Sequence, residues 1–162
     1  MVDYQTISIV LTGIGMIIAL TYYSLQIRNQ NKTRQNQLFM NLYQVYRSKE
    51  FRTIYNRILF EWEWTDYEEY WSKYGSSNLE DFTDSSTVVA YFEGIGYLVK
   101  SGELGIDSVY GLLGRPILNM YEKFEKESAV YSESVGYQIY PYFKYLYERT
   151  VKYMVEHPEL KT

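Results

Sequence analysis

The sequence predicts an all-α protein in which an N-terminal transmembrane helix runs into a bundle of five or six short helices. Three observations carry this reading: 24 charge-free residues from Tyr4 to Ile27, apolar residues recurring at helical spacing through the rest of the chain, and no strong strand pattern.

The anchor comes first in the chain. A helix of about 20 residues crosses the ~30 Å hydrocarbon core of a bilayer, so Tyr4 to Ile27 is long enough. Ile7, Ile9, Val10, Leu11, Ile14, Ile17, Ile18 and Leu20 together favour insertion by roughly 2–5 kcal/mol before the polar residues subtract. Tyr4 at one end and Tyr22 and Tyr23 at the other stand where interfacial aromatics belong. Asp3 precedes the stretch and Thr21-Tyr22-Tyr23-Ser24-Leu25 closes it, unlike the basic start and small-residue cleavage site of a signal peptide. An uncleaved anchor is expected. Arg28, Lys32 and Arg34 follow the span, so the positive-inside rule predicts a single-pass protein of the cell membrane. Residues 1–27 would be the anchor and residues 28–162 a cytoplasmic helical domain, on which orientation the Asn31-Lys32-Thr33 sequon is accidental. Ser8, Thr12, Gly15 and Ala19 recur at spacings of four, three and four. They form one face of small residues suited to close helix-to-helix contact, in a homo-oligomer or against a larger membrane-complex partner.

Helical character is expected to continue unbroken through Gln26 to Tyr46, since neither Gly nor Pro interrupts. Arg28 to Gln37 is polar all round, as suits a helix leaving the headgroups, and Leu38, Leu42 and Val45 then offer a packing face. Ser48 caps a helix that presents Phe51, Ile54, Tyr55 and Ile58. Trp64, Tyr67, Trp71 and Tyr74 follow at helical spacing, while Glu61-Trp62-Glu63-Trp64 alternates and reads equally as extended chain. Gly75-Ser76-Ser77-Asn78 is a loop. From about Asp84, as cap, Val88, Val89, Phe92, Ile95, Gly96 and Val99 define another apolar face, ended by Gly102. Asp107 is expected to cap a short helix to Leu113, stopped at Gly114-Arg115-Pro116 because a residue before proline disfavours helical torsions. Pro116 then opens a further helix with Ile117, Tyr121, Phe124 and Ser128 on one face. Pro141 opens the last, with Phe143, Leu146, Tyr147, Thr150, Val151 and Met154 inward, up to His157-Pro158.

The run Tyr91 to Asp107, with the apolar helix and closing aromatic helix that follow it, resembles an uncharacterised family of small archaeal and bacterial single-span membrane proteins. The resemblance implies one N-terminal span and a cytoplasmic helical domain of unknown function. It supplies no activity and no catalytic residue.

Composition narrows the chemistry. Without its anchor the 162-residue chain is the size of one domain, and 46% apolar with 19% aromatic residues is the make-up of a packed fold. The lack of cysteine excludes disulfides, thiolate zinc sites and cysteine nucleophiles. His157 is the only histidine, and Glu122 and Glu125 lack the Glu-x-x-His partners of di-iron bundles. No metal and no cofactor is expected. Gly94-Ile95-Gly96 with Val99 in sixth place fails the dinucleotide fingerprint; these glycines suit close packing against another helix.

Charge is uneven: Arg28 to Arg57 holds seven Lys/Arg against one acid, whereas Ile58 to Val99 holds nine acids against Lys73 alone. The basic run adjoins the anchor, where anionic headgroups attract it, and the net charge of −4 disfavours polyanions. The lipid bilayer is the expected partner and nucleic acid is not. Phe60 to Tyr74 holds all three tryptophans and five acids. Trp62, Trp64, Tyr67 and Trp71 are the candidate partner surface, exposed rings being frequent interface anchors. The alternative is that the rings line the core while the acids are solvated or pair with the basic Arg47 to Arg57 helix. These features predict a membrane-anchored, non-enzymatic interaction module or accessory subunit of a membrane complex, with a membrane-tethered enzyme or small-ligand sensor as the alternative.

Overall fold

The structure is a computed structural model that describes residues 3–160; the outermost positions of both predicted segments, 1–2 and 161–162, lie outside the described residues. Most of those described are helical, the rest lie in turns and short irregular links, and there is no strand among them. The chain divides into two compact units, residues 1–38 and 39–162.

Helix α1 (Tyr4–Arg47) is one unbroken run of 44 residues. In the first unit, every side chain described between Tyr4 and Ile27 is exposed, and no residue of its apolar stretch is buried. The helix is long and apolar enough to cross a membrane. Within its uncharged stretch Thr12 donates its hydroxyl to the Ser8 carbonyl and Thr21 to the Ile17 carbonyl, each at 2.8 Å. Such bonds satisfy the groups without water.

The second unit begins with the last turns of α1, which bury Phe39 and Tyr46. Val45, expected to pack, is exposed, because the neighbouring rings Phe39, Tyr43 and Tyr46 form the ladder that meets α2. Helix α2 (Lys49–Phe60) starts where expected: Ser48 accepts the Phe51 N–H at 3.2 Å, and Phe51, Tyr55 and Ile58 are buried. Helix α3 (Tyr67–Tyr74) is short and capped by Asp66, which accepts the Glu69 N–H at 2.9 Å. Helix α4 (Leu79–Lys100) begins six residues earlier than its predicted Asp84 cap, with Asn78 as N-cap and Glu80 and Asp81 in the first turn. Asp84 is inside the helix, where it meets Arg57 of α2.

Helix α5 (Ile106–Val135) corrects the sequence reading most clearly. It runs through Gly114-Arg115-Pro116 as one helix of 30 residues, not two short ones, with Gly105 rather than Asp107 as N-cap. An interior proline costs about 3 kcal/mol. Against it, Val109, Leu113, Ile117, Met120 and Phe124 are buried along one face that continues across the proline. Each such side chain contributes roughly 1.5–3 kcal/mol on burial, so tertiary packing wins. Gly136, at φ +75°, ends the helix in the left-handed region that glycine tolerates.

Helix α6 (Pro141–Glu156) packs against α4 and α5, and a single 3₁₀ turn (Pro158–Leu160) closes the described chain. Phe92 and Phe143 stack at 5.1 Å between α4 and α6. Gly96 permits that approach, since a Cβ there would strike the Tyr142 main-chain carbonyl, whereas Gly94 faces open space. Only one of the two glycines therefore does what their pairing predicts. Helix α6 has no capping side chain of its own; its Phe143 N–H donates to Glu93 of α4 at 2.6 Å.

Candidate functional site

The candidate site grows from the tryptophan-bearing segment between α2 and α3. Residues 62–64 are neither helix nor turn, so alternate side chains point to different neighbours. Trp62 is only 4% exposed and stacks on Tyr74 with centroids 4.0 Å apart and planes 4° from parallel. Its carbonyl accepts the Lys123 ammonium at 2.7 Å, and the same ammonium lies 4.6 Å from the centre of the Trp64 ring. Trp64 lies between Tyr70, Tyr74 and Phe124, and its indole N–H donates to the carboxylate of Glu127.

Beyond Trp64, helices α3, α4 and α5, with Ile139 and Tyr140 of the link after α5, line a partly open cavity of about 130 Å³. Seven of its thirteen lining residues are aromatic. Tyr67, Trp71 and Tyr131 stack mutually at 5.8–6.4 Å with their planes within 25° of parallel. Phe82 closes one side, edge-on to Trp71. Glu127, the one buried acid among the described residues at 7% exposure, also lines this space. Burial pushes the Tyr70 phenol up to about 12, a Ser85 hydrogen bond opposing it and the nearby Tyr140 and Glu127 charges adding to it. Tyr140, also in the wall, is raised by burial first and then by Tyr131 and Glu93. Both phenols stay neutral at ordinary pH. Glu127 also borders an open cleft carrying Glu63, Glu69, Lys73, Lys123 and Lys126.

The surrounding charges are tied up elsewhere. Arg57 reaches Asp81 at 3.0 Å and Glu80 at 3.6 Å, and bonds Asp84. Burial raises the Asp84 carboxyl above its ordinary value, with Arg57 pulling the other way. Glu69 takes the Lys73 ammonium at 2.7 Å and the Thr65 hydroxyl and N–H at 2.8 Å each. The Lys73 bond, then those from Thr65, hold the Glu69 carboxyl down at about 2. Glu69 of the tryptophan segment thus pairs with Lys73 of the same segment, while Arg57 at the end of α2 is engaged by α4.

No family model, curated protein or solved structure matches the chain.

Of the candidate partner surface, Trp62 lies in the core, while Trp64, Tyr67 and Trp71 are half-buried; all four rings are stacked within the same unit, Trp62 on Tyr74 of α3, Trp64 on Phe124 of α5, and Tyr67 and Trp71 on Tyr131 of α5. Ser8, Thr12, Gly15 and Ala19 are all exposed, and Gly15 has open space where a Cβ would stand. Glu122 and Glu125 are exposed and share no site; Glu122 accepts the Tyr147 hydroxyl at 3.4 Å. Among the described residues no three His, Asp or Glu groups converge as metal ligands. Glu127 was missed by sequence reasoning. Its signal was present: it continues the buried register Ile117, Met120, Phe124 by three residues, an acid on a core face.

Proposed function

We propose that this chain is a membrane-anchored, non-enzymatic interaction module or an accessory subunit of a membrane complex, inserted in the cell membrane with its C-terminal domain in the cytoplasm. One observation carries the reading: the side chains of Ile7, Ile9, Val10, Leu11, Ile14, Ile17, Ile18 and Leu20 are all exposed on a helix of membrane-spanning length. Exposing so large an apolar surface to water is unfavourable, and lipid or a partner helix relieves it. Arg28, Lys32 and Arg34, directly after the span, support the cytoplasmic orientation. The exposed face of Ser8, Thr12, Gly15 and Ala19 supports close contact with a second helix, from another copy or a complex partner.

The test is affinity capture of the tagged full-length protein from its native membranes in mild detergent, beside a chain beginning at Asn29. A stoichiometric partner retained only by the full-length protein locates the interaction in the anchor; one retained by both locates it in the helical unit. Recovery of the protein without any companion would overturn the accessory-subunit reading. Orientation has its own test, because the chain lacks cysteine. Ser76→Cys in the exposed turn before α4 should react with a membrane-impermeant maleimide only after the cells are opened.

A second reading, a membrane-tethered small-ligand sensor, is favoured by a specific observation. A buried carboxylate, Glu127, stands in the wall of an aromatic cavity that the packing leaves unfilled.

A further inference from the structure

The aromatic cavity has a chemistry that its geometry makes specific. Removing a carboxylate from water is costly unless donors or a positive charge meet it. Glu127 is met by the neutral indole N–H of Trp64, and among the described residues no Lys or Arg forms an ion pair with it within 4 Å. Lys123, one turn earlier on α5, directs its ammonium to the Trp62 carbonyl and the Trp64 face instead. Tyr67, Trp71 and Tyr131 line the same space with polarizable rings and bring no positive charge to it. Carboxylate and rings together make an interior that attracts cations and repels anions.

Size and hydration select among cations. A metal ion or a bare ammonium is strongly hydrated, and ring faces cannot replace that shell. A methylated ammonium sheds weakly held water, and its methyl groups pack against rings, which is why aromatic cages suit it. The volume of about 130 Å³ is close to that of the ~150 Å³ apolar cavity known to hold benzene, a group of about six heavy atoms. We infer that the cavity walled by Tyr67, Tyr70, Trp71 and Tyr131, with Glu127 as counter-charge, binds a small methylated ammonium group, either a free solute or the headgroup of a lipid. The inference rests on the small-ligand reading of the same cavity.

Trp62, Trp64 and Trp71, the only tryptophans in the chain, all stand at the cavity or in the segment beside it, so intrinsic fluorescence reports on it. The full-length protein in a maltoside detergent, which carries no ammonium, is titrated with tetramethylammonium chloride. Sodium chloride at equal ionic strength and tert-butanol, an uncharged group of like shape, are the controls. The expected result is a saturable change with Kd on the order of 1 mM for tetramethylammonium and none for tert-butanol. Glu127→Gln keeps an oxygen for the Trp64 indole and should weaken binding about tenfold; Trp71→Leu should weaken it roughly fivefold. Should either variant fail to fold, the wild-type contrast between cation and isostere decides alone. Saturable binding of tert-butanol as tight as that of tetramethylammonium overturns the cation inference and leaves the small-ligand reading standing. No saturable response to either overturns both. Reconstitution in phosphatidylcholine and in phosphatidylglycerol vesicles separates the sources. A fluorescence change already present in phosphatidylcholine and displaced by tetramethylammonium supports the headgroup; an equal response to added tetramethylammonium in both supports the free solute.

Discussion

Alanine placed at Gly94 and at Gly96 sets one physical effect alone against two in opposition. Both positions are interior to α4, where alanine is favoured over glycine by about 0.8–1 kcal/mol. At Gly94 nothing lies within 4 Å of the added methyl, so Gly94→Ala should stabilise the helical unit by roughly 0.5–1 kcal/mol. At Gly96 the methyl would overlap the main-chain carbonyl of Tyr142, in the first turn of α6. A backbone cannot swing aside as a side chain does, so α6 must retreat. Overpacking of this kind costs typically about 1–3 kcal/mol. Retreat also stretches the 2.6 Å bond from the Phe143 N–H to Glu93 and the 5.1 Å Phe92–Phe143 stack, the bond to the charged group being worth about 1.5–3 kcal/mol. Net of the helix gain, Gly96→Ala should destabilise by about 1–3 kcal/mol, leaving the two variants roughly 2–4 kcal/mol apart. Urea melts of the full-length protein in maltoside micelles, followed by tryptophan fluorescence, measure this directly, because every tryptophan is in the helical unit and none is in the anchor. Equal stability of the two variants would refute the close approach of α4 and α6 at this point.

Three further outcomes are expected. Trp62→Ala removes a ring that is 4% exposed and stacked on Tyr74, and should cost about 3–5 kcal/mol in the same urea melts; a loss below about 1 kcal/mol would place Trp62 at the surface. Gly15→Leu should lower self-association of the span in a membrane dimerisation assay, and an unchanged signal removes the small-residue face from consideration. Glu69 titrates at about 2 when folded against an ordinary 4.5. A lowered carboxylate pKa contributes stability that is fully present above the unfolded value and lost as pH falls through the folded one. Melts at stepped pH should therefore show part of the stability lost between about pH 5 and pH 2, and Glu69→Gln should flatten that slope.

Much of the architecture is legible in local patterns because the signals are short-range. The uncharged stretch from Tyr4 to Ile27, the unbroken continuation to Arg47, the Ser48 cap and the Pro141 start all depend on neighbours within a turn or two. Local rules fail where distant residues supply the deciding energy. Pro116 was expected to break a helix, yet Val109, Leu113, Ile117 and Met120 share one buried face across it, and burial of that face outweighs the lost hydrogen bond. Asp84 looked like a cap, but Arg57 of another helix claims it and Asn78 caps instead.

Sequence alone determined the helical class, the apolar span and the basic-to-acidic change of charge along the chain, since each follows from residue type and spacing. Only tertiary structure decided which polar groups are covered. Whether Glu127 is solvated like Glu122 or buried among rings depends on α3 and α4 closing over α5, and the same closure turns Trp62 from a candidate anchor into core. Burial is a property of what lies opposite a residue, and what lies opposite is set by helices tens of residues away along the chain.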